Sequence, residues 1–471
     1  MSTTAQSAGV VSFEQARELI LDYCRHVAPP ATREIALVQS LGLVLAQTVP
    51  ADRDFPPFPR ATRDGYAVRA ADLSATPATL RVLGQIKAGA GFHGRVGAGE
   101  AVEIMTGAAV PQGADAVVMV EYTMRREAID QVEIQRAVVT GENVVAAGAE
   151  ARAGQQMLAA GTRLGPAQIA VAAACGEEKI RVYQKPRVAL LSTGDELVDI
   201  SETPGPQQIR NSNSYSLAAQ VEAAGGEAMR LPVAPDEPRK LSTLLQAGLA
   251  ADMLLISGGV SAGKFDLVEP ALKRLGAEFF FTGALIQPGR PIVFGELRPQ
   301  GLKPPSKNAA YGTTKARAVI RTNKNSIHGT TDGRALQRPT PGHGRSSASE
   351  IAKAAAGRAV PFFGLPGNPV SAMVTFDLFA RPLLEALSGA SPARLPAAKA
   401  RLKKDLKTKT GLTRFLPAIL EGGIDDPHVE IVPWQGSGDL LAASRANCYL
   451  VVPPDRESIP AGEIVSILMR S

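Results

Sequence analysis

Cysteine is scarce in this chain. Three occur in 471 residues, Cys24, Cys175 and Cys448, far apart and without CxxC spacing. Neither a disulfide framework nor a thiolate zinc site is expected, and a reducing, cytoplasmic compartment fits. Tryptophan occurs once and aromatics make up 5%, so the core has to be aliphatic. The five histidines (His26, His93, His328, His343, His428) are scattered and suggest neither a metal cluster nor a base with a partner. No run of about 18 apolar residues is present to cross a bilayer. The opening MSTTAQSAGVV has no basic region followed by an apolar one, so no secretory leader is expected.

What is present is a globular balance: 45% hydrophobic and 20% charged residues. At roughly 100–200 residues per domain, three or four domains are expected. The net charge of +6 hints at nucleic acid, but its distribution argues otherwise. Residues 299–358 hold eleven Lys/Arg against two Asp/Glu, and the remainder of the chain is net −3. Apart from Tyr311 that segment has no aromatic residue on which a base could stack. Rich in Pro, Gly, Ser and Thr and without apolar periodicity, it reads as a solvated, disordered basic insertion.

Along the chain, Ser12 with Gln15 forms a capping box before an apolar helical face of Phe13, Ala16, Leu19, Ile20 and Tyr23. A second helix is expected from Glu34 to Ala46, and another around Pro166–Ala174. Between them, residues 52–143 show short apolar runs cut by Gly and Pro, the pattern of a small β domain. The reading is a discontinuous helical domain (8–51 and 144–185) with a β domain (52–143) inserted. From 186 to 392 strands alternate with helices, which implies right-handed crossovers and a parallel, doubly wound sheet. Its expected strands start at Val188, Met229, Met253, Glu278, Pro291 and Val360. Asn368 and Pro369 are placed to cap and start a long apolar helix. Residues 393–471 read as a C-terminal β domain.

Ligands of open parallel sheets sit beyond the carboxyl ends of the strands. Polar loops leave the strands there: Ser192-Thr-Gly-Asp-Glu196, Ala234-Pro-Asp236, Ser257-Gly-Gly-Val-Ser261 leading to Asp266, and Leu365-Pro-Gly-Asn368. In the third, Gly258 and Gly259 allow a tight turn and close approach. Backbone N–H groups and the Ser257 and Ser261 hydroxyls suit phosphate oxygens. Glu196, Asp236 and Asp266 would repel a polyanion unless a cation such as magnesium bridged them. The same loop fits G-x-x-x-x-G-K through Gly258, Gly263 and Lys264. Phe265 stands where a Ser or Thr would hold magnesium, which speaks against a P-loop nucleotidase. On spacing alone, Arg63-Asp-Gly-Tyr66 and Met105-Thr-Gly107 read as turns.

The ordered motifs resemble the MoeA family, the molybdopterin molybdenumtransferases, which includes the E domain of gephyrin. They are Pro56-Pro-Phe58 with Asp64-Gly-Tyr-Ala67, Ile104-Met-Thr-Gly107 with Pro111-Gln-Gly-Ala-Asp-Ala-Val117, and Leu191-Ser-Thr-Gly-Asp-Glu-Leu197. Ser257-Gly-Gly-Val-Ser261, Pro288-Gly-Arg-Pro291, Gly364-Leu-Pro-Gly-Asn-Pro-Val-Ser371 and Gln435-Gly-Ser-Gly438 follow. They cover nearly the whole chain outside 299–358.

The resemblance implies a homodimer whose central α/β domain binds molybdopterin. It implies insertion of molybdate into adenylyl-molybdopterin with release of AMP, dependent on magnesium (Mg2+), and contact with a molybdopterin adenylyltransferase. Catalytic positions carried over are Asp64, Thr106, Glu196, Asp236, Asp266 and Ser437, with Asp64 and Thr106 reaching the partner subunit's site. Glu196, Asp236 and Asp266 would hold the metal. Thr193, Ser257, Gly258, Gly259, Ser261, Gln287, Arg290, Pro366 and Asn368 would bind the pterin nucleotide. Two departures stand out. Gly283 and Gln287 occupy positions where lysines are usual, leaving Arg290 to keep a positive charge there. Ala61-Thr62-Arg63 precedes Asp64 where a Ser and a Met are usual.

Overall fold

The computed structural model describes residues 9–259, 267–298, 358–392 and 395–470. The expected insertion at 299–358 lies, but for Arg358, outside the described residues. Two compact units emerge: Ala31–Gln184, and Met1–Pro30 together with Lys185–Ser471.

In the Ala31–Gln184 unit, a six-stranded sheet has the order Ala116–Met119, Gly65–Val68, Glu100–Ile104, Ala78–Ile86, Gln131–Ile134, Thr123–Arg126. Side chains alternate across a strand. Tyr66 and Val68 therefore join one apolar cluster and Ala67 the other, and both faces are covered. The helix expected from Glu34 to Ala46 is absent. Thr32–Ala36 is a strand, antiparallel to Lys179–Tyr183, followed by a 3-10 turn, Leu37–Gln39. The pairing buries Leu37 with Ile180 and Val182, and a partner so distant in sequence leaves no local periodicity. The expected helix Pro166–Ala174 is present, with proline in its first turn. It is the one α-helix among the described residues of this unit, so "helical" does not describe it.

The first helix, Phe13–Arg25, starts as read. Gln15 N–H donates to Ser12 Oγ at 3.1 Å and Ser12 N–H to Gln15 Oε1 at 2.9 Å. It buries Ala16, Ile20 and Cys24 in the core of its own unit, the one formed with Lys185–Ser471, next to the helix Arg381–Leu387. Residues 31–51 belong to the Ala31–Gln184 unit, whereas this helix belongs to the same compact unit as the α/β portion.

That portion is a six-stranded sheet in the order Glu227–Arg230, Arg187–Ser192, Met253–Ser257, Val360–Leu365, Val293–Leu297, Ala277–Phe281. The first four strands are parallel. Val293–Leu297 runs antiparallel to both its neighbours, so Ala277–Phe281 again runs with the first four; this corrects the all-parallel expectation. No helix separates Phe281 from Val293, so nothing carries the chain back across the sheet for a parallel return. Val188 and Leu190 pack on one face, Ala189 and Leu191 on the other. Both faces are covered by helices, as parallel strands require. From Arg187–Ser192 the chain first adds the strand on one side, then Met253–Ser257 on the other. The crevice of the sheet falls at that reversal.

Residues 397–469 form a closed five-stranded barrel: Thr413–Glu421, His428–Ile431, Ala397–Leu402, Ile464–Met469 and Cys448–Val452, the last pairing back with the first. Leu402, Leu416, Val429, Leu450 and Ile467 fill it. The short strand Ile286–Gln287 joins the Thr413 end. Among the described residues no helix is long and apolar enough to cross a membrane.

Candidate active site

Three strand ends meet at the crevice: Ser192-Thr193-Gly194, Ser257-Gly258-Gly259 and Leu365-Pro366-Gly367-Asn368. Backbone bonds stitch them together. Thr193 N–H donates to Ser257 O at 3.0 Å and Gly258 N–H to Leu365 O at 3.1 Å. Val370 N–H, in the helix after Asn368, donates to Ser437 O at 3.0 Å, which ties the barrel domain to the crevice. The result is a cleft of about 840 Å³.

The glycines have steric work to do. Gly258 sits at φ +90° and Gly259 at φ +62°, the left-handed region that favours glycine. A Cβ on Gly258 would lie 2.7 Å from Thr193 O, and one on Gly259 would lie 2.7 Å from Val268 Cγ2. Beneath this turn Thr193 is 6% exposed, and its hydroxyl has no hydrogen-bond partner among the described residues. An unmet buried hydroxyl beside an open turn suits an incoming polar group.

Of the residues expected at the site, Thr193, Glu196, Asp236, Ser257, Gly258, Gly259, Pro366 and Asn368 line this one cleft. Ser261 and Asp266, with Gly263 and Lys264 of the near P-loop spacing, lie outside the described residues. Asn368 holds the N-cap position, yet its side chain makes no capping bond. The Ser437 carbonyl takes the Val370 N–H instead. Gln287 and Arg290 do not line the cleft, although Pro291 does. Gln287 Oε1 accepts from Arg414 Nε at 2.8 Å. Arg414, 7% exposed, also donates to Lys409 O and, at 3.1 Å, to Leu412 O. Gly283 is buried because the strand Val10–Val11 pairs alongside it.

Asp64 and Thr106 belong to the other compact unit. The two are joined: Thr106 N–H and O–H both donate to Asp64 Oδ1, at 2.6 and 2.8 Å. The backbone bond first, then the hydroxyl, holds the Asp64 carboxyl below its ordinary range.

Sequence reasoning missed three groups. Asn213 Nδ2 donates to Ser257 Oγ at 2.8 Å and to Gly367 O at 2.7 Å. Arg210 is the one Lys or Arg among the described lining residues. Asp195 Oδ1 accepts from Asp236 N–H at 3.0 Å. Asp195 stood in the Thr-Gly-Asp-Glu run beside Glu196; for the two others no sequence signal was available. Partial loss of water, then Asp195 and Glu196, push the Asp236 carboxyl above its ordinary value. That is uncompensated negative charge in a cleft, and hard oxygen donors of this kind fit a divalent cation. Among the described residues no group of three His, Cys, Asp or Glu closes a metal site.

A molybdopterin-binding fold is the class this arrangement defines, and comparison with known proteins agrees. Residues 11–176 match the MoeA N-terminal region (domain I and II), 189–386 a probable molybdopterin binding domain, and 399–469 the MoeA C-terminal region (domain IV). A molybdopterin molybdenumtransferase of Nostoc sp. is 31% identical over 447 residues, covering 93% of this chain and 88% of its own. One of Bacillus subtilis is 29% identical, covering 96% and 93%. The crystal structure of the molybdopterin biosynthesis moeA protein from Pyrococcus horikoshii OT3 superposes with a TM-score of 0.68 at 26% identity, covering 98% of this chain and all of that one. The chain belongs to the MoeA family of molybdopterin molybdenumtransferases.

Proposed function

We propose that this protein inserts molybdate into adenylyl-molybdopterin, releasing AMP and yielding molybdenum cofactor, with magnesium at the phosphates. The observation that carries the reading is the convergence of Thr193, Ser257, Gly258, Gly259 and Asn368 with the carboxylates Glu196 and Asp236 in one strand-end cleft. Hydroxyls and an open glycine turn suit phosphate oxygens. The carboxylates, with Asp266, would hold Mg2+, which would offset charge on the phosphates of substrate and leaving AMP. The chain's own residues then bind and orient. The glycine turn lets the backbone approach the phosphates, and Ser257 and Thr193 offer hydroxyls to them. Arg210 supplies the cleft's positive charge. Asp64 and Thr106 are proposed to complete the site across a homodimer, with Ser437 contributing from the barrel and Arg63 replacing lost positive charge. A cytoplasmic location and hand-over of substrate by the adenylyltransferase belong to the same reading.

The test is reconstitution. Purified protein, adenylyl-molybdopterin, molybdate and Mg2+ should give AMP and active cofactor, and Asp266→Ala or Asp236→Asn should lower AMP release at least tenfold. Tight binding of the adenylylated pterin without AMP release would leave a binding protein, and would sink the catalytic reading.

A further inference from the structure

Asn213 opens the helix Asn213–Ala223 and reaches across to two of the cleft's strand ends. Its amide nitrogen lies 2.7 Å from Gly367 O and 2.8 Å from Ser257 Oγ. A carbonyl oxygen can only accept, so the amide atom facing Gly367 has to be the –NH2. This fixes the orientation of the amide without sight of its hydrogens. One of its two protons goes to Gly367 O and the other to Ser257 Oγ.

The consequence falls on Ser257. A hydroxyl that accepts from an amide keeps its own proton for another acceptor. Among the described residues nothing takes that proton, although Ser257 is only 3% exposed. Ser257 lines the cleft, and the unpartnered hydroxyl of Thr193 lies under the same turn, 2.8 Å from where a Cβ of Gly259 would be. One buried hydroxyl without a partner and one that accepts from Asn213 but donates to none of the described residues thus sit at one place, and the second has its polarity set.

We propose that Asn213 is a positioning residue. It presets Ser257 as a hydrogen-bond donor toward a phosphate oxygen of the adenylate, and pins the Gly367 loop against the same strand end. This rests on the reading of the cleft as an adenylate site. Asn213 need not touch the ligand; it acts through Ser257.

The test is calorimetric titration of the full-length protein with AMP and with adenosine, for wild type, Ser257→Ala, Asn213→Ala and the double variant. Each single change should weaken AMP about tenfold, the worth of one hydrogen bond to a charged acceptor. Adenosine, which has no phosphate, should change less than twofold. The double variant should bind AMP within twofold of Ser257→Ala, because the Asn213 effect passes through that hydroxyl. Independent, multiplying losses overturn the proposal, as does equal weakening of adenosine, which would mean a loosened cleft. Should Asn213→Ala not fold, Asn213→Asp keeps the shape and can only accept; its effect in the Ser257→Ala background reports the added charge and the lost bond to Gly367 O, and any further loss with Ser257 present reports the path through that hydroxyl. Wild type that binds neither AMP nor adenylyl-molybdopterin overturns the adenylate reading itself. Wild type that binds AMP and is indifferent to Asn213 overturns this inference alone.

Discussion

The backbone N–H of Asp236 donates to the side-chain carboxylate of Asp195 at 3.0 Å. Two acidic residues on neighbouring strand ends are thereby held together, with Glu196 close enough to raise the Asp236 carboxyl further. A carboxyl whose folded pKa lies above its unfolded value binds protons more tightly in the folded state. Stability is then greatest below the ordinary carboxylate range, near pH 4, and falls as pH rises through the folded value. Thermal melts of Asp236→Asn should therefore match wild type near pH 3 and exceed it at pH 7. A melting temperature at pH 7 below that of wild type would contradict this sign.

Magnesium should reverse the cost. Added Mg2+ is expected to raise the melting temperature of wild type at pH 7 by mass action. Glu196→Gln and Asp236→Asn should each reduce that shift to a small fraction. Thermal shift against Mg2+ concentration reads this directly, without substrate.

Gly259→Ala should damage the site while sparing the rest of the fold. Its φ of +62° disfavours any side chain, and the new Cβ would stand 2.7 Å from Val268 Cγ2 and 2.8 Å from Thr193 Oγ1. Strain of this kind costs about 1–3 kcal/mol. Urea unfolding should show that loss, and AMP titration should show at least a tenfold weaker Kd.

Thr106→Val removes the hydroxyl donor to Asp64 and leaves the backbone donor. The Asp64 carboxyl should titrate at higher pH in the variant, still below its ordinary value, as followed by NMR. In wild type, with the folded pKa depressed, the stabilisation is present above the ordinary carboxylate range and is lost as pH falls through the folded value. The variant should lose less on acidification.

Gly283→Lys would restore the residue type the family pattern carries there, and it should not restore a binding cation. A Cβ at Gly283 would meet Val10 Cγ2 at 3.0 Å and Arg290 O at 3.3 Å. The N-terminal strand Val10–Val11 has to move to admit it. Overpacking of this kind costs about 1–3 kcal/mol. Hydrogen exchange at Leu285, whose N–H is bonded to Val11 O at 2.8 Å, should rise well above that of wild type.

Much of this was legible in the sequence because it is local. The capping box at Ser12 and Gln15, the apolar strands at Val188 and Met253, and the glycine turn at Gly258 and Gly259 each declare themselves within a few residues. The strand Thr32–Ala36 did not, since its partner Lys179–Tyr183 is remote and a short apolar pattern fits helix as well as strand. Likewise, burial of Gly283 depends on a strand near the N-terminus, and the role of Asn213 on two loops that meet only in the folded chain. Sequence motifs marked the loops that line the cleft, and stayed silent on the side chain that braces them.

Leu297 and Val360 are rung partners in an antiparallel pair, so the chain leaves the sheet and re-enters it at one point. The register of the two strands is fixed by their own pairing. This makes the junction a natural place to reconnect the polypeptide. New termini opened between Leu297 and Val360, with the original ends joined by a linker, would leave every strand neighbour in the sheet unchanged. A circular permutant cut there should fold, and a fluorescent reporter placed there should sense the sheet without displacing the cleft.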